Sequence, residues 1–213
     1  MLSVDDRRGE LNVPSPFNLA RYVLWENGAD ADKVELTVLK AAGSERWSYA
    51  RLRERVLATG AALLAADIRP GTRLLLRLGN TTDFPLAYLG AIAAGIIPIP
   101  TSAALTEEEI TRIADVLQPS AVLAEDSFSV PTGATRLRPS DLPEAKPLSA
   151  PVYANPDDSA YIVVTSGTSG TPVGVIHAHR AILGRRFMFE GWYGLSREDR
   201  VLHAGAFNWT YTL

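Results

Sequence analysis

The sequence contains no cysteine among its 213 residues, and this absence excludes several kinds of site. A disulfide framework, a thiolate zinc site and a cysteine nucleophile all need the missing side chain. No segment approaches the roughly 18 consecutive apolar residues of a membrane span. An excess of positive charge is also absent, because the formal net charge is −3 and nucleic-acid-binding proteins usually present a basic face. We therefore expect a cytoplasmic protein with neither a membrane nor a nucleic-acid partner.

A repeated strand–helix pattern occupies residues 48–125. Ser48 precedes a segment whose apolar residues recur every three or four positions, which is typical of a helix with one buried face. Strands are predicted over 73–78, 96–100 and 121–124, with helices over 83–94 and 106–117 between them. Short turns between alternating strands and helices favour an α/β fold with a parallel-rich sheet flanked by helices.

Two polar segments follow predicted strands of this sheet. Ligands of open parallel sheets bind beyond the carboxyl ends of the strands, where Asn80 and Glu125-Asp126 lie. Turn formation is the simpler interpretation of both segments, and we favour it.

The chain changes character after residue 126. Prolines at positions 131, 139, 143, 147, 151 and 156 leave no periodicity over 127–158. We predict a long surface connection there, with a short strand at most. Beyond it, residues 180–192 have the pattern of a helix and residues 201–203 that of a strand. Near the N-terminus, a short helix is predicted over 17–25 and a strand over 34–39.

The segment 161–179 contains the clearest candidate site. An apolar strand, 161–164, leads into residues 165–171, which are only Gly, Ser and Thr. Glycines allow close approach to the backbone, and successive N–H groups in a turn form a concave anion site. Two interpretations stay open, a phosphate-binding loop and a plain hairpin connection. A Walker loop is excluded because no lysine follows Gly170 or Gly174.

The loop and its flanks, VTSGTSGTPVGVIHAH, resemble the signature loop of the AMP-forming acyl-CoA synthetases and other adenylate-forming enzymes. Three further segments resemble the same family in the same order: WSYARL, LAYLGAIAAGIIPIPTSAALTEEEI and VLHAGAFNW. The resemblance implies that residues 1–213 are the first part of the large N-terminal adenylation domain. Its αβ repeats would cover 48–125, its proline-rich connection 127–158 and its phosphate-loop unit 159–213. Since the family is much longer, we expect an N-terminal fragment that is not fully active alone.

The resemblance also implies a function. Enzymes of this family activate a carboxylic acid with ATP and Mg²⁺ as an acyl-adenylate, which coenzyme A then converts into a thioester. The small-molecule partners would be the acid, ATP and coenzyme A, and a homo-oligomer stays an open option. The family's catalytic lysine lies beyond this chain, and we expect no metal ligand within it. His177 and His179 receive no catalytic role.

The implied site residues form two groups. The phosphates of ATP would be bound by Thr165, Ser166, Gly167, Thr168, Ser169, Gly170, Thr171 and Gly174. The acyl pocket would include Phe207, Asn208 and Trp209, for which ordinary core packing is an equally good interpretation.

One position departs from the family pattern. Val173 stands where the family has lysine, and a hydrogen bond from a charged donor contributes about 1.5–3 kcal/mol. We therefore expect weakened phosphate binding. The aromatic segment favours a flat or medium-length acid, such as an aryl acid. The alternatives are an amino-acid adenylation domain of a peptide synthetase and a truncated, non-catalytic nucleotide-binding relative.

Overall fold

A computed structural model describes residues 12–166, 170–196 and 198–208 of the chain. Within these ranges the chain forms five α-helices and eight strands, together with a 3₁₀ turn at Pro139–Asp141 and a π-helical turn at Phe189–Tyr193. The helices are α1 Leu19–Trp25, α2 Tyr49–Ala65, α3 Asp83–Ala93, α4 Glu107–Leu117 and α5 Ala181–Met188. The strands are β1 Val34–Lys40, β2 Gly43–Ser48, β3 Arg73–Arg77, β4 Ile97–Pro100, β5 Ala121–Ala124, β6 Arg136–Leu137, β7 Ser159–Thr165 and β8 Val173–Ala178.

The predicted parallel sheet flanked by helices is confirmed. Four strands pair in the order β4-β3-β5-β6, and every pair is parallel. Two antiparallel hairpins, β1-β2 and β7-β8, accompany this sheet, and β7 runs beside β4. In the hydrogen-bonded order β4 is an edge strand, which suits its prolines because proline cannot donate to a ladder.

The sheet separates two apolar cores. Successive side chains of a strand point to opposite faces, so Leu74 and Leu76 of β3 join one core and Leu75 joins the other. The first, the α3-side core, contains buried residues of α1, α2 and α3, such as Leu24, Val56 and Ala91. The second, the α4-side core, contains Ile110, Ile113 and Leu117 of α4. Strand β7 serves both cores, with Tyr161 and Val163 in the first and Ile162 in the second.

Side-chain caps account for the helix starts. Ser48 caps α2 by accepting from the Arg51 N–H at 3.3 Å. Thr106 and Glu109 form the predicted capping box of α4. Helix α1 begins at Leu19, two residues later than predicted, because the Asn18 side chain caps it.

Two predictions need correction. Strand β2 was not predicted, although it pairs with β1 and buries Trp47 immediately before α2. Residues 201–203 were predicted as a strand and are not one. Val201 and Leu202 are 71% and 78% exposed, and no strand of the described chain pairs with them. A short apolar run forms a strand only where a neighbour completes its hydrogen bonds.

Two further predictions agree with the structure. The proline-rich connection contains only the two-residue strand β6 and one 3₁₀ turn. The predicted helix over 180–192 is α5 followed by the π-helical turn. No helix in the described ranges is both long enough and apolar enough to cross a membrane.

Candidate functional site

The loop rich in Gly, Ser and Thr joins the two strands of a hairpin. Thr165 at the end of β7 pairs with Val173 at the start of β8. The Thr165 hydroxyl donates to the Val173 carbonyl at 3.4 Å and so closes the base of the loop. The loop is therefore the connection of an antiparallel hairpin. It is compatible with anion binding, because the buried strand β7 holds the loop at its end.

The described loop residues present small polar groups to solvent. Thr165, Ser166, Gly170 and Thr171 are exposed. Gly170 has a φ of +77°, and among the described residues no atom outside its chain neighbours lies within 4 Å of the position that a Cβ would occupy there. A ligand therefore has access to the backbone at this point. Gly167, Thr168 and Ser169, also predicted to bind phosphate, lie outside the described residues.

A cleft of about 400 Å³ lies between the loop and α4. Residues 170–172 form one side of the cleft, and Arg112, Asp115 and Val116 of α4 form the other. Arg112 also lies 3.7 Å from Glu108, so part of its charge is compensated. The cleft thus combines loop amides and a hydroxyl with one guanidinium and one carboxylate.

Gly174 has a packing role beneath the loop. A Cβ at this position would lie 2.5 Å from Cδ2 of Leu117 and 3.0 Å from Cγ2 of Ile162. Real Cβ atoms do not approach other atoms so closely, so a methyl group here would force the Leu117 side chain to shift from its contact with the hairpin. Its predicted contact with phosphate stays a prediction, but this packing is a sufficient reason for the glycine.

The opposite face of the hairpin carries an aromatic row, defined as His177, Tyr161, Tyr88, Phe84 and Phe207. The His177 and Tyr161 rings stack across the hairpin, with centroids 4.6 Å apart and planes at 3°. Neighbouring rings farther along the row have centroids 5.4–6.1 Å apart. The same face of the hairpin carries Tyr161, Thr165 and Val173. Alternate residues of one strand point to the same face, and so do residues that pair directly across two strands. The row therefore connects the face of the loop base with Phe207.

The predicted acyl-pocket segment lies at the end of this row. Phe207 stacks on Phe84 with centroids 5.4 Å apart and planes at 17°, and it is half-buried. One side of the Phe207 ring therefore packs against the core, as expected if this aromatic residue is an ordinary core residue. Asn208 is also half-buried, and Trp209 lies outside the described residues.

Asn80 contacts this segment, a role that the sequence did not reveal. Its Nδ2 donates to the Gly205 carbonyl at 3.1 Å, and its Oδ1 accepts from the Phe207 N–H at 3.0 Å. Turn formation was favoured for Asn80, but these side-chain hydrogen bonds reach residues 125 and 127 positions away. Turn formation does explain the backbone at Glu125, since the Phe128 N–H donates to the Glu125 carbonyl at 3.3 Å. The Glu125 side chain makes a long-range contact as well, because its Oε1 accepts from the Gly79 N–H at 3.0 Å. No sequence pattern links Asn80 with so distant a segment.

The two histidines at the end of the hairpin, His177 of β8 and His179 just after it, have lowered pKa values. Burial, followed by the charge of Arg185, lowers the pKa of His177. Burial also lowers the pKa of His179, while the Asp158 carboxylate opposes this shift. The Nδ1 of His179 accepts from the Leu19 N–H at 3.1 Å, at the first residue of α1. This hydrogen bond requires a neutral ring, and it gives His179 a structural role.

Two ionisable groups beside Phe84 have shifted pKa values. Burial raises the pKa of Tyr88 well above its ordinary range, and the Tyr88 hydroxyl has no hydrogen-bond partner in the described structure. Burial, with the charge of Glu125 second, raises the pKa of the Asp83 carboxyl. The described residues contain no group of three or more His, Asp or Glu side chains that could hold a metal ion.

Comparison with known proteins identifies similar sequences and folds. The sequence model of a family described as AMP-binding enzyme matches residues 25–213. A 4-hydroxybenzoate–CoA/benzoate–CoA ligase of Rhodopseudomonas palustris is 31% identical, over 75% of this chain and 33% of that protein. A hybrid PKS-NRPS synthetase of Xenoacremonium sinensis is 27% identical, over 71% of this chain and 4% of that protein.

Among solved structures, a benzoate CoA ligase from Burkholderia xenovorans LB400 has a similar fold, with a TM-score of 0.77 at 23% identity. That similarity covers 92% of this chain and 42% of the ligase. The chain thus spans less than half the length of either ligase.

Proposed function

The chain belongs to the AMP-binding family of adenylate-forming enzymes, and from this premise we propose that it is part of an ATP-dependent, AMP-forming acyl-CoA ligase. Within that enzyme it would hold the phosphates of ATP and form one wall of the acid pocket. The observation that carries the proposal is the family's loop of Gly, Ser and Thr at the end of the buried strand β7. The fold is that of the N-terminal domain of such ligases.

The donor set of the loop fits the phosphates of ATP. Ser166 and Thr171 offer hydroxyl donors, and Gly170 leaves its backbone accessible. The Thr165 hydroxyl would exchange its hydrogen bond to the Val173 carbonyl for one to a phosphate. Donors fixed before the reaction stabilise the negative charge that develops as an acid attacks phosphorus. ATP supplies the leaving group, and these residues would orient its phosphates. The roles of Mg²⁺ as the ion and coenzyme A as the acceptor are carried over from the family resemblance.

We propose an aryl acid as the substrate. The half-buried ring of Phe207, stacked on the buried ring of Phe84, would offer its outer side as a flat apolar surface, and flat rings prefer offset stacking on such surfaces. The Rhodopseudomonas palustris relative is a ligase of benzoate and 4-hydroxybenzoate, which agrees with this choice. Phe207 and Asn208, with Trp209, would contact the ring of the acid.

A second candidate is an amino-acid adenylation domain. It is favoured by the similarity to the hybrid PKS-NRPS synthetase, at 27% identity. Such a domain would need an acidic group for the substrate amine. In the described part of the structure, Asp83 is the carboxylate adjacent in sequence to Phe84 of the aromatic row. We rank this function second because the benzoate ligase has the higher identity, 31% against 27%.

Acid-dependent exchange of labelled pyrophosphate into ATP tests the proposal on the protein that carries this chain. We expect exchange with benzoate, weaker exchange with octanoate, none with L-phenylalanine, and benzoyl-CoA when coenzyme A is added. Exchange with the amino acid alone would favour the adenylation-domain function. ATP binding without exchange for any acid would contradict both candidates and leave the non-catalytic relative.

A further inference from the structure

The side-chain carboxamide of Asn80 makes hydrogen bonds to both ends of the segment 205–207. Its Nδ2 donates to the Gly205 carbonyl at 3.1 Å, and its Oδ1 accepts from the Phe207 N–H at 3.0 Å. Because the two bonds reach residues two apart on one segment, they restrain both the position of the segment and its rotation. A single hydrogen bond would leave the segment free to pivot about it.

The loop that carries Asn80 is itself fixed. Asn80 lies three residues beyond the end of β3. Its two neighbours in the chain, Gly79 and Thr81, are both hydrogen-bonded to the side chain of Glu125. The Glu125 Oε1 accepts from the Gly79 N–H at 3.0 Å and from the Thr81 hydroxyl at 3.4 Å. The carboxyl ends of β3 and β5, adjacent strands of the sheet, therefore support the Asn80 side chain together.

A ring contact reinforces the two hydrogen bonds. Phe84, buried in the first turn of α3, stacks against Phe207 with centroids 5.4 Å apart. Residues 201–204 before this segment are exposed, whereas residues 205–208 are half-buried. The segment thus docks onto the sheet where Asn80 and Phe84 contact it.

We infer that Asn80 is a positioning residue for the acid: it sets the backbone of residues 205–207 and, through it, the orientation of Phe207 and Asn208 toward the substrate. This inference depends on the proposed function in one respect, namely that the ligand bound beside Phe207 is the acid. Asn80 would not touch the acid itself. Its loss would therefore weaken acid binding and leave ATP binding unchanged, because the phosphate loop is held by the separate hairpin β7-β8.

The test compares Asn80→Ala with Asn27→Ala in the protein that carries this chain. Asn27 is a matched control because its Nδ2 donates to the Val23 carbonyl at 2.7 Å and its Oδ1 accepts from the Ala29 N–H at 3.0 Å, both within one local turn. Asn80→Asp is a partial rescue, since its carboxylate retains an acceptor for the Phe207 N–H. Two measurements follow for each variant: hydrogen exchange of the Phe207 amide, and the KM values of benzoate and ATP in pyrophosphate exchange.

We expect Asn80→Ala to speed exchange of the Phe207 amide about tenfold, the effect of losing its hydrogen bond. The KM of benzoate should rise about tenfold, with the KM of ATP unchanged. Asn80→Asp should give an intermediate rate of amide exchange, and Asn27→Ala should match the wild type in every measurement.

Three results would overturn the inference, and they differ from one another. Unchanged exchange of the Phe207 amide in Asn80→Ala would mean that Asn80 does not hold the segment. Faster amide exchange with an unchanged KM of benzoate would mean that the segment does not serve the acid, although the ligase function would stand. If the wild type exchanges no pyrophosphate with any acid, the proposed function fails and the acid-binding role fails with it. The amide exchange would then still decide whether Asn80 holds residues 205–207.

Discussion

Replacing Val173 by lysine should accelerate pyrophosphate exchange without destabilising the fold. Val173 is the first residue of β8 and is 47% exposed. It lies on the face opposite to Gly174, so its side chain points away from Leu117 and the α4-side core. A longer side chain therefore displaces no packed group, and exposed substitutions usually change stability by less than about 0.5 kcal/mol.

The size of the gain follows from the interaction that the lysine would add. Val173 pairs with Thr165 at the base of the loop, so an ammonium group at this position can reach a phosphate bound there. A hydrogen bond from a charged donor contributes about 1.5–3 kcal/mol, and each 1.36 kcal/mol of barrier changes a rate tenfold. These values correspond to about 10-fold to 150-fold. Because the site is partly exposed and salt screens the charge, we expect about tenfold at physiological ionic strength.

The assay is benzoate-dependent pyrophosphate exchange at saturating acid, with ATP varied. Val173→Met separates length from charge, because it adds a long neutral side chain at the same position, and we expect a gain well below that of lysine. Ile176→Lys adds the same charge at a position that is 56% exposed and on the opposite face of β8. That control should match the wild type. The gain from Val173→Lys should also shrink as the salt concentration rises.

Two results would refute this reasoning. An unchanged exchange rate in Val173→Lys would mean that position 173 does not reach the phosphates. An equal gain from Ile176→Lys would mean that the net charge of the protein, and not a local contact, controls binding.

Three further predictions concern the scaffold of the site. Arg77→Met should lower the free energy of unfolding by about 3 kcal/mol in urea titration, because the buried guanidinium donates to carbonyls that include those of Ser129 at 2.8 Å and Leu105 at 2.9 Å. Stability should fall as the pH drops below about 6.5, because the low pKa of His179 lets the unfolded state bind a proton that the folded state does not. His179→Gln should remove that part of the pH dependence, as followed by melting temperature. Gly174→Ala should destabilise the protein by about 2 kcal/mol, because the added methyl group forces Leu117 to move.

Each of these predictions has a contradicting outcome. A fully stable Arg77→Met protein would mean that water replaces the lost donors. Parallel pH profiles for the wild type and His179→Gln would assign the dependence to other groups, among them His177. A double-mutant cycle with Leu117→Ala tests the steric origin of the Gly174→Ala effect. A smaller cost of Gly174→Ala in the Leu117→Ala background than in the wild type would support it, and an equal cost in both backgrounds would contradict it.

Local patterns in the sequence predicted most of the elements correctly. These patterns include the capping box at Thr106, the cap at Ser48 and the prolines of β4. Each acts on residues nearby in the chain, so a short stretch of sequence is enough to predict its effect. The same holds for the loop after β7, whose small polar residues predicted both its hairpin geometry and its accessible backbone. The prediction of a strand over 201–203 was wrong because a strand also needs a neighbour, which three residues do not encode.

The sequence by itself determined the strand–helix order, the parallel sheet and the family of this protein, since these depend on periodicity, turn residues and a contiguous loop. Only the tertiary structure decided how the parts of the site meet. It joined Asn80 to residues 205–207, packed Gly174 against Leu117 and aligned the aromatic row with the base of the loop on one face of the hairpin. These contacts join segments far apart in the chain, and they arise from the way the sheet packs between its two cores. No local pattern of residues specifies them.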